Sequence, residues 1–187
     1  MTKIDFSPVH RYDLTMPESE IIVLLNTAQT AEKESLRQYL EFAYQTKDPG
    51  GKDMFIRLAL DEYHHWQLIE RQLLSFNQTG IFKPVDIPTS LLERLVPHLS
   101  QKELLIRGKE KQDKLNALQT ALQLERSARD FYHQARKQAA ADELRQLLLR
   151  LEQMEQAHLE LIQAEIDHIQ KTGFWFWFAE FTLEGNP

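Results

Sequence analysis

"LALDEYHHWQLIE", residues 58–70, places Glu62 three positions before His65 in a run whose other landmarks are apolar. Positions three apart share a helix face, so this carboxylate and imidazole stand on the stripe that also carries Leu58, Ala59, Trp66 and Ile69. Ionisable groups on a buried stripe cost desolvation unless something compensates them.

The arrangement occurs a second time. Glu32 is followed seven residues later by Tyr39, then by Glu62 and His65; Glu125 is followed by Tyr132, then by Glu155 and His158. The differences 125−32, 132−39, 155−62 and 158−65 all equal 93. Two equal helical hairpins leave such a fixed offset behind. Apolar neighbours mark the stripe in each case: Leu25, Ala28 and Leu36 around Glu32, Leu118, Ala121 and Leu122 before Glu125, and Leu148, Leu151, Leu159 and Ile162 around Glu155. Seven residues make nearly two turns, so each tyrosine shares a face with the glutamate before it and leans back toward its level.

Four inward glutamates would repel one another and lose hydration if left alone. Four carboxylates supply −4, two neutral imidazoles nothing, and two divalent cations +4. A Glu from each of two helices plus a Glu-x-x-His from each of the other two is the donor set of carboxylate-bridged dimetal bundles. A lone Glu-x-x-His or a lone buried tyrosine is ordinarily core; the matched conjunction favours metal. Glu32, Glu62, His65, Glu125, Glu155 and His158 are therefore the expected ligands, with Tyr39 and Tyr132 orienting carboxylates. His64, His133 and His168 lie off the repeat and are expected at the surface or in support, and His10 and His98 lie outside the main helices. Glu34, Glu41, Glu70, Glu152 and Glu165 are expected on solvated faces.

The surrounding chain reads as helix. Thr15-x-x-Glu18 is a capping-box signature with Pro17 in the first turn, and "KDPGG" at 47–51 stops the first helix near Thr46. A second helix is predicted from about Lys52 to Thr79, ended by Gly80; a third from about Lys109 to Ala139; a fourth from Asp142 to Thr172, ended by Gly173. No strand pattern of any length is present. The predicted fold is an all-α four-helix bundle forming a single domain over 1–187. It comprises an arm (1–17), a first hairpin (18–79), a crossover (80–108), a second hairpin (109–172) and an aromatic tail (173–187). The crossover is long enough to let the second and third helices run parallel, and one or two short helices fit within it, one after Ser100-x-x-Glu103.

Composition excludes several classes. The 187 residues contain no cysteine, which removes disulfides, thiolate metal sites, iron–sulfur clusters and a cysteine nucleophile. A net charge of −6 with scattered cations offers no basic stripe for nucleic acid. The N-terminus has no apolar targeting core, so the cytoplasm is expected. The run "FWFWF" at 174–178 is too short to span a bilayer. The tail is expected to cap the bundle or form a dimer contact, ahead of binding a membrane surface, since it lacks Lys and Arg.

"TAEKESLRQYLEFA", "LALDEYHHWQLIE", "LQLERSARDFYHQA" and "EQMEQAHLELI" together resemble the rubrerythrin-like branch of the ferritin-like superfamily, over roughly residues 18–172. The resemblance implies a bridged di-iron site, tyrosines hydrogen-bonded to ligand glutamates, and ferroxidase or peroxide-reducing chemistry. Typical members also carry a cysteine-ligated rubredoxin centre, for which this sequence has no cysteine. Many have a further glutamate one turn after the third-helix ligand, where this chain has Ala128. A symmetric, six-liganded site is therefore expected. It would hold two iron ions per chain, with manganese or a mixed pair as alternatives. The expected function is reduction of hydrogen peroxide or oxygen, fed by a separate donor such as a rubredoxin, in a homodimer. Ferritin-like iron oxidation and storage, a non-enzymatic bundle and an oxygenase are the competing readings.

Overall fold

The computed structural model describes residues 16–84, 92 and 111–175, and among these the regular structure is helical throughout. Four long helices carry the fold: α1 (Glu18–Gln45), α2 (Pro49–Thr79), α3 (Lys111–Gln138) and α4 (Asp142–Thr172). The capping-box residue Thr15 and the expected crossover helices lie outside the described residues. Pro17 stands just before α1 rather than inside its first turn, and its carbonyl accepts from the amides of Glu20 and Ile21.

α2 begins three residues earlier than predicted. Asp48 Oδ1 accepts from the Gly50 and Gly51 amides at 2.9 and 3.2 Å, and Pro49 needs no partner at the first helical position. "KDPGG" therefore both ends one helix and starts the next. Gly80 (φ 68°) and Gly173 (φ 83°) end α2 and α4 in the left-handed conformation, as expected.

Helix directions follow from two apolar clusters. One contains Tyr39 and Phe42 of α1, Met54 and Leu58 of α2, Leu115 and Leu118 of α3, and Leu161 and Ile169 of α4. The other contains Ile21 and Leu25, Leu68 and Phe76, Tyr132 and Ala135, and Leu144 and Leu151 from the same four helices. Traced N to C, α2 and α3 both run from the first cluster to the second, whereas α1 and α4 run the opposite way. The second and third helices are thus parallel, and α2 ends at the opposite end of the bundle from where α3 begins. The repeat extends into the core: Leu25, Ala28, Leu58, Leu68 and Ile69 are each matched, 93 positions on, by Leu118, Ala121, Leu151, Leu161 and Ile162, all buried. Each cluster is the pseudo-symmetric image of the other, and the polar residues of the repeat lie between them on every helix.

The first cluster is closed by the start of the tail. Trp175 meets Phe55 edge-on at 5.6 Å, and Phe55 in turn packs on Phe42 at 5.3 Å. The capping role expected of the tail thus holds for Trp175; residues 176–187 lie outside the described part. A Cβ on Gly51 would fall on the Trp175 indole, well inside van der Waals contact. Gly51→Ala gains up to about 1 kcal/mol of helix propensity but collides with a rigid ring, at a cost of about 1–3 kcal/mol. Thermal unfolding should show a lower midpoint, by about 2–6 °C at this chain size. In a Trp175→Ala background the same substitution should be neutral or stabilising, and an equal loss in both backgrounds would discount the contact.

Candidate metal centre

The middle of each helix contributes donors to one buried polar layer. Glu32 comes from α1, Glu62 and His65 from α2, Glu125 from α3, and Glu155 and His158 from α4; none is more than 2% exposed. Helical spacing aims each Glu-x-x-His pair inward, while Leu58, Ile69, Leu151 and Ile162 hold the same stripes above and below.

The donors fall into two overlapping groups. Glu32, Glu62, His65 and Glu155 form one, and Glu62, Glu125, Glu155 and His158 the other, each with donor atoms within 4.8 Å of one another. His65 Nδ1 lies 3.4 Å from Glu32, 3.6 Å from Glu62 and 3.1 Å from Glu155. His158 Nδ1 lies 3.4 Å from Glu62, 3.4 Å from Glu125 and 3.5 Å from Glu155. The two imidazoles stack with centroids 5.5 Å apart. Glu62 and Glu155 belong to both groups, so they could bridge two ions, while Glu32 and Glu125 each serve one.

Despite these distances, both Nδ1 atoms, both oxygens of Glu155, Oε1 of Glu62 and Oε2 of Glu125 make no hydrogen bond and are shut off from solvent. Buried polar atoms are rarely left so, because each costs about 1–3 kcal/mol. Lone pairs that converge without a donor between them suit cations, and this oxygen-rich set with two imidazoles suits iron or manganese. The residues present therefore fit a dimetal centre.

The electrostatics of the layer agree. Burial, reinforced by the charges of Glu62 and Glu155, holds the Glu32 and Glu125 carboxyls well above the ordinary carboxylate range. Burial also opposes ionisation of Glu155, but the Glu125 carboxyl and the charge of His65 outweigh it and hold Glu155 well below that range. Glu62 is lowered as well, burial being outweighed by the close approach of Glu32, His158 and His65. Burial alone would lower both histidines; the surrounding carboxylates raise them. The raising of Glu32, Glu125 and the two histidines acts to lessen the net negative charge of the buried layer, and divalent ions bound there would do the same.

Each tyrosine bonds across the bundle rather than to the glutamate of its own helix. Tyr39 donates to Glu125 Oε1 and Tyr132 to Glu32 Oε1. Leaning back along the helix brings each phenol level with the layer, but the neighbouring hairpin supplies the acceptor. Burial and then the facing carboxylate raise both phenols, so they remain proton donors.

Other expectations divide. His64 is exposed, as expected, and His133 bonds Glu152 at 2.8 Å on the flank. Glu34 and Glu41 are solvated, Glu70 is half-buried, and Glu152 is tied to Arg136 at 2.7 Å. Glu165 is not on a solvated face: it is fully buried, because it lies seven residues after His158 on the inward stripe with Ile162 and Ile169. Nor is the layer fully symmetric. His158 Nε2 meets Asp61 Oδ2 at 3.2 Å, and Asp61 is silent in the repeat because position 154 is Met.

Four antiparallel and parallel helices enclosing a carboxylate–histidine layer define a ferritin-like dimetal bundle. Residues 23–166 match the rubrerythrin family model, and the chain belongs to that family. The fold is similar to a hypothetical protein from Pyrococcus furiosus (TM-score 0.61, 20% identity, covering 87% of this chain and 99% of that one). It is also similar to KatB, a manganese catalase from Anabaena (TM-score 0.56, 19% identity, covering 95% and 84%). No curated protein matches the chain at a significant level. Family and donor set together mark an oxidoreductase-like dimetal protein. Among the described residues, no helix is long and apolar enough to cross a membrane.

Removing either phenol should loosen the carboxylate it holds. Tyr39→Phe and Tyr132→Phe are each expected to weaken manganous-ion binding about 10–100-fold while the helical fold is retained. Unchanged binding isotherms would show that the phenols do not orient the donors.

Proposed function

We propose that the protein is a non-haem di-iron enzyme that reduces hydrogen peroxide to water and is re-reduced by a separate donor protein such as a rubredoxin. The observation that carries this reading is the pair of overlapping donor groups whose buried lone pairs lack hydrogen-bond partners. Glu32, Glu62, Glu125 and Glu155 would serve as carboxylate ligands, Glu62 and Glu155 being common to both donor groups, and His65 and His158 would present Nδ1. When bound, two ferrous ions supply the two electrons that cleavage of one peroxide consumes, together with two protons, in yielding two waters. The chain's own residues neutralise and orient the pair. Tyr39 and Tyr132 donate to Glu125 Oε1 and Glu32 Oε1 and so orient those carboxylates, and the apolar clusters on either side limit water entry.

The likeness to a manganese catalase suggests a second reading, disproportionation of peroxide with release of oxygen and no external donor. We place the enzyme in the cytoplasm as a homodimer; exposed Ile56, Leu60 and Leu74 on one outward stripe of α2 supply an apolar face for pairing. Gel filtration distinguishes that dimer from a ferritin-like shell.

Anaerobic ferrous titration should saturate near two per chain, and peroxide should reoxidise the loaded protein without evolving oxygen. His65→Ala and His158→Ala should each lose metal and suppress reoxidation. His64→Ala, turned about 100° away on the helix, and His133→Ala should leave both nearly unchanged. Saturation at one ion, or retention of two in both His65→Ala and His158→Ala, would exclude the bridged site; oxygen evolution from peroxide would select the catalase reading.

A further inference from the structure

The repeat makes the layer's donors equivalent in pairs, yet the two histidines differ in what lies behind them. His158 Nε2 faces Asp61 Oδ2 at 3.2 Å, both groups buried. His65 Nε2 is equally buried and has no hydrogen-bond partner. Subtracting 93 from 158 gives 65, and adding 93 to 61 gives 154, which is Met154, also buried. A thioether is at best a weak acceptor, so the position that would complete the symmetry cannot replace the carboxylate.

We propose that Asp61 makes the two metal positions unequal, so that the position served by His158 and Glu125 binds a divalent ion more tightly than the one served by His65 and Glu32. This rests on the ligand assignment proposed above. Asp61 accepts the Nε2 proton of His158, which fixes the tautomer, leaves the Nδ1 lone pair directed into the donor group and makes that nitrogen more basic. His65 has no such partner on its Nε2. The tyrosine–glutamate bonds are matched in the two halves and do not contribute to the difference. Asp61 is thus a positioning residue, acting on the ion only through His158.

The test is stepwise binding of cobaltous ion to the full chain, followed by its visible absorption and by calorimetry, with no turnover involved. Wild type should bind two ions in resolved steps separated by about 10–100-fold, the magnitude that an outer hydrogen-bond partner contributes to metal affinity. Asp61→Asn, in which the amide can still meet the ring but bears no charge, should weaken the first step toward the second. Asp61→Ala should weaken it further and alter the cobalt spectrum of that step only. Met154→Asn, which offers His65 an acceptor, should tighten the second step and draw the two together without touching the first. Two ions bound in wild type with equal affinity, or a first step unmoved in both Asp61 variants, would overturn the inequality while leaving the dimetal reading intact. Failure of wild type to bind two ions would overturn both.

Discussion

Four carboxylates gathered in one dry layer are the constraint from which the rest of the structure follows. Unneutralised, each would cost several kcal/mol, and together they would rival the whole net stability of a domain. Everything around the layer reduces that cost. The two histidines stand among the carboxylates, and the two phenols donate to Glu125 and Glu32. The apolar clusters on either side fix the four helices at the separation the donors require.

The architecture shows why a bundle suits this task. Each helix passes once through the layer and can donate only from the one or two turns that cross it. Here four helices share six candidate donors, so two of them give two donors each, at a spacing of three. The parallel arrangement of α2 and α3 places the Glu-x-x-His turns of α2 and α4 opposite each other, which is what lets Glu62 and Glu155 both reach both groups. Family membership and the fold likenesses agree with this architecture.

Most of this was legible in the sequence because the signal is doubled. An offset of 93 shared by four residue pairs named the layer, and the same offset through Leu25, Ala28, Leu58 and Ile69 supports the core around it. What escaped the sequence reading has physical causes. Asp61 has no counterpart, so repetition could not single it out, and standing next to Glu62 it resembles an ordinary flanking acid. Glu165 is a carboxylate on an inward stripe but outside the repeat, its matched position being Gln72. The start of α2 was misplaced because proline and glycine usually end helices, whereas Asp48 turns the same residues into a beginning. Which glutamate each tyrosine meets was not readable either, since spacing along one helix fixes the height of a phenol but not which neighbour lies across from it.

The crossed bonds from Tyr39 to Glu125 and from Tyr132 to Glu32 have a consequence for how the two halves are joined. Residue i of one half meets residue j of the other, and the equivalents of i and j meet in return, which is the rule obeyed by the interface of a twofold dimer. The chain is therefore organised as two self-complementary protomers covalently tethered, and a hairpin of this design closes its own polar groups only against a second copy. Such a tether removes the dependence of assembly on concentration, and it frees each half to drift away from the other wherever symmetry is not enforced by the layer. Asp61 facing His158, with Met154 in the matching place, is the kind of divergence that a symmetric pair of identical chains could never record.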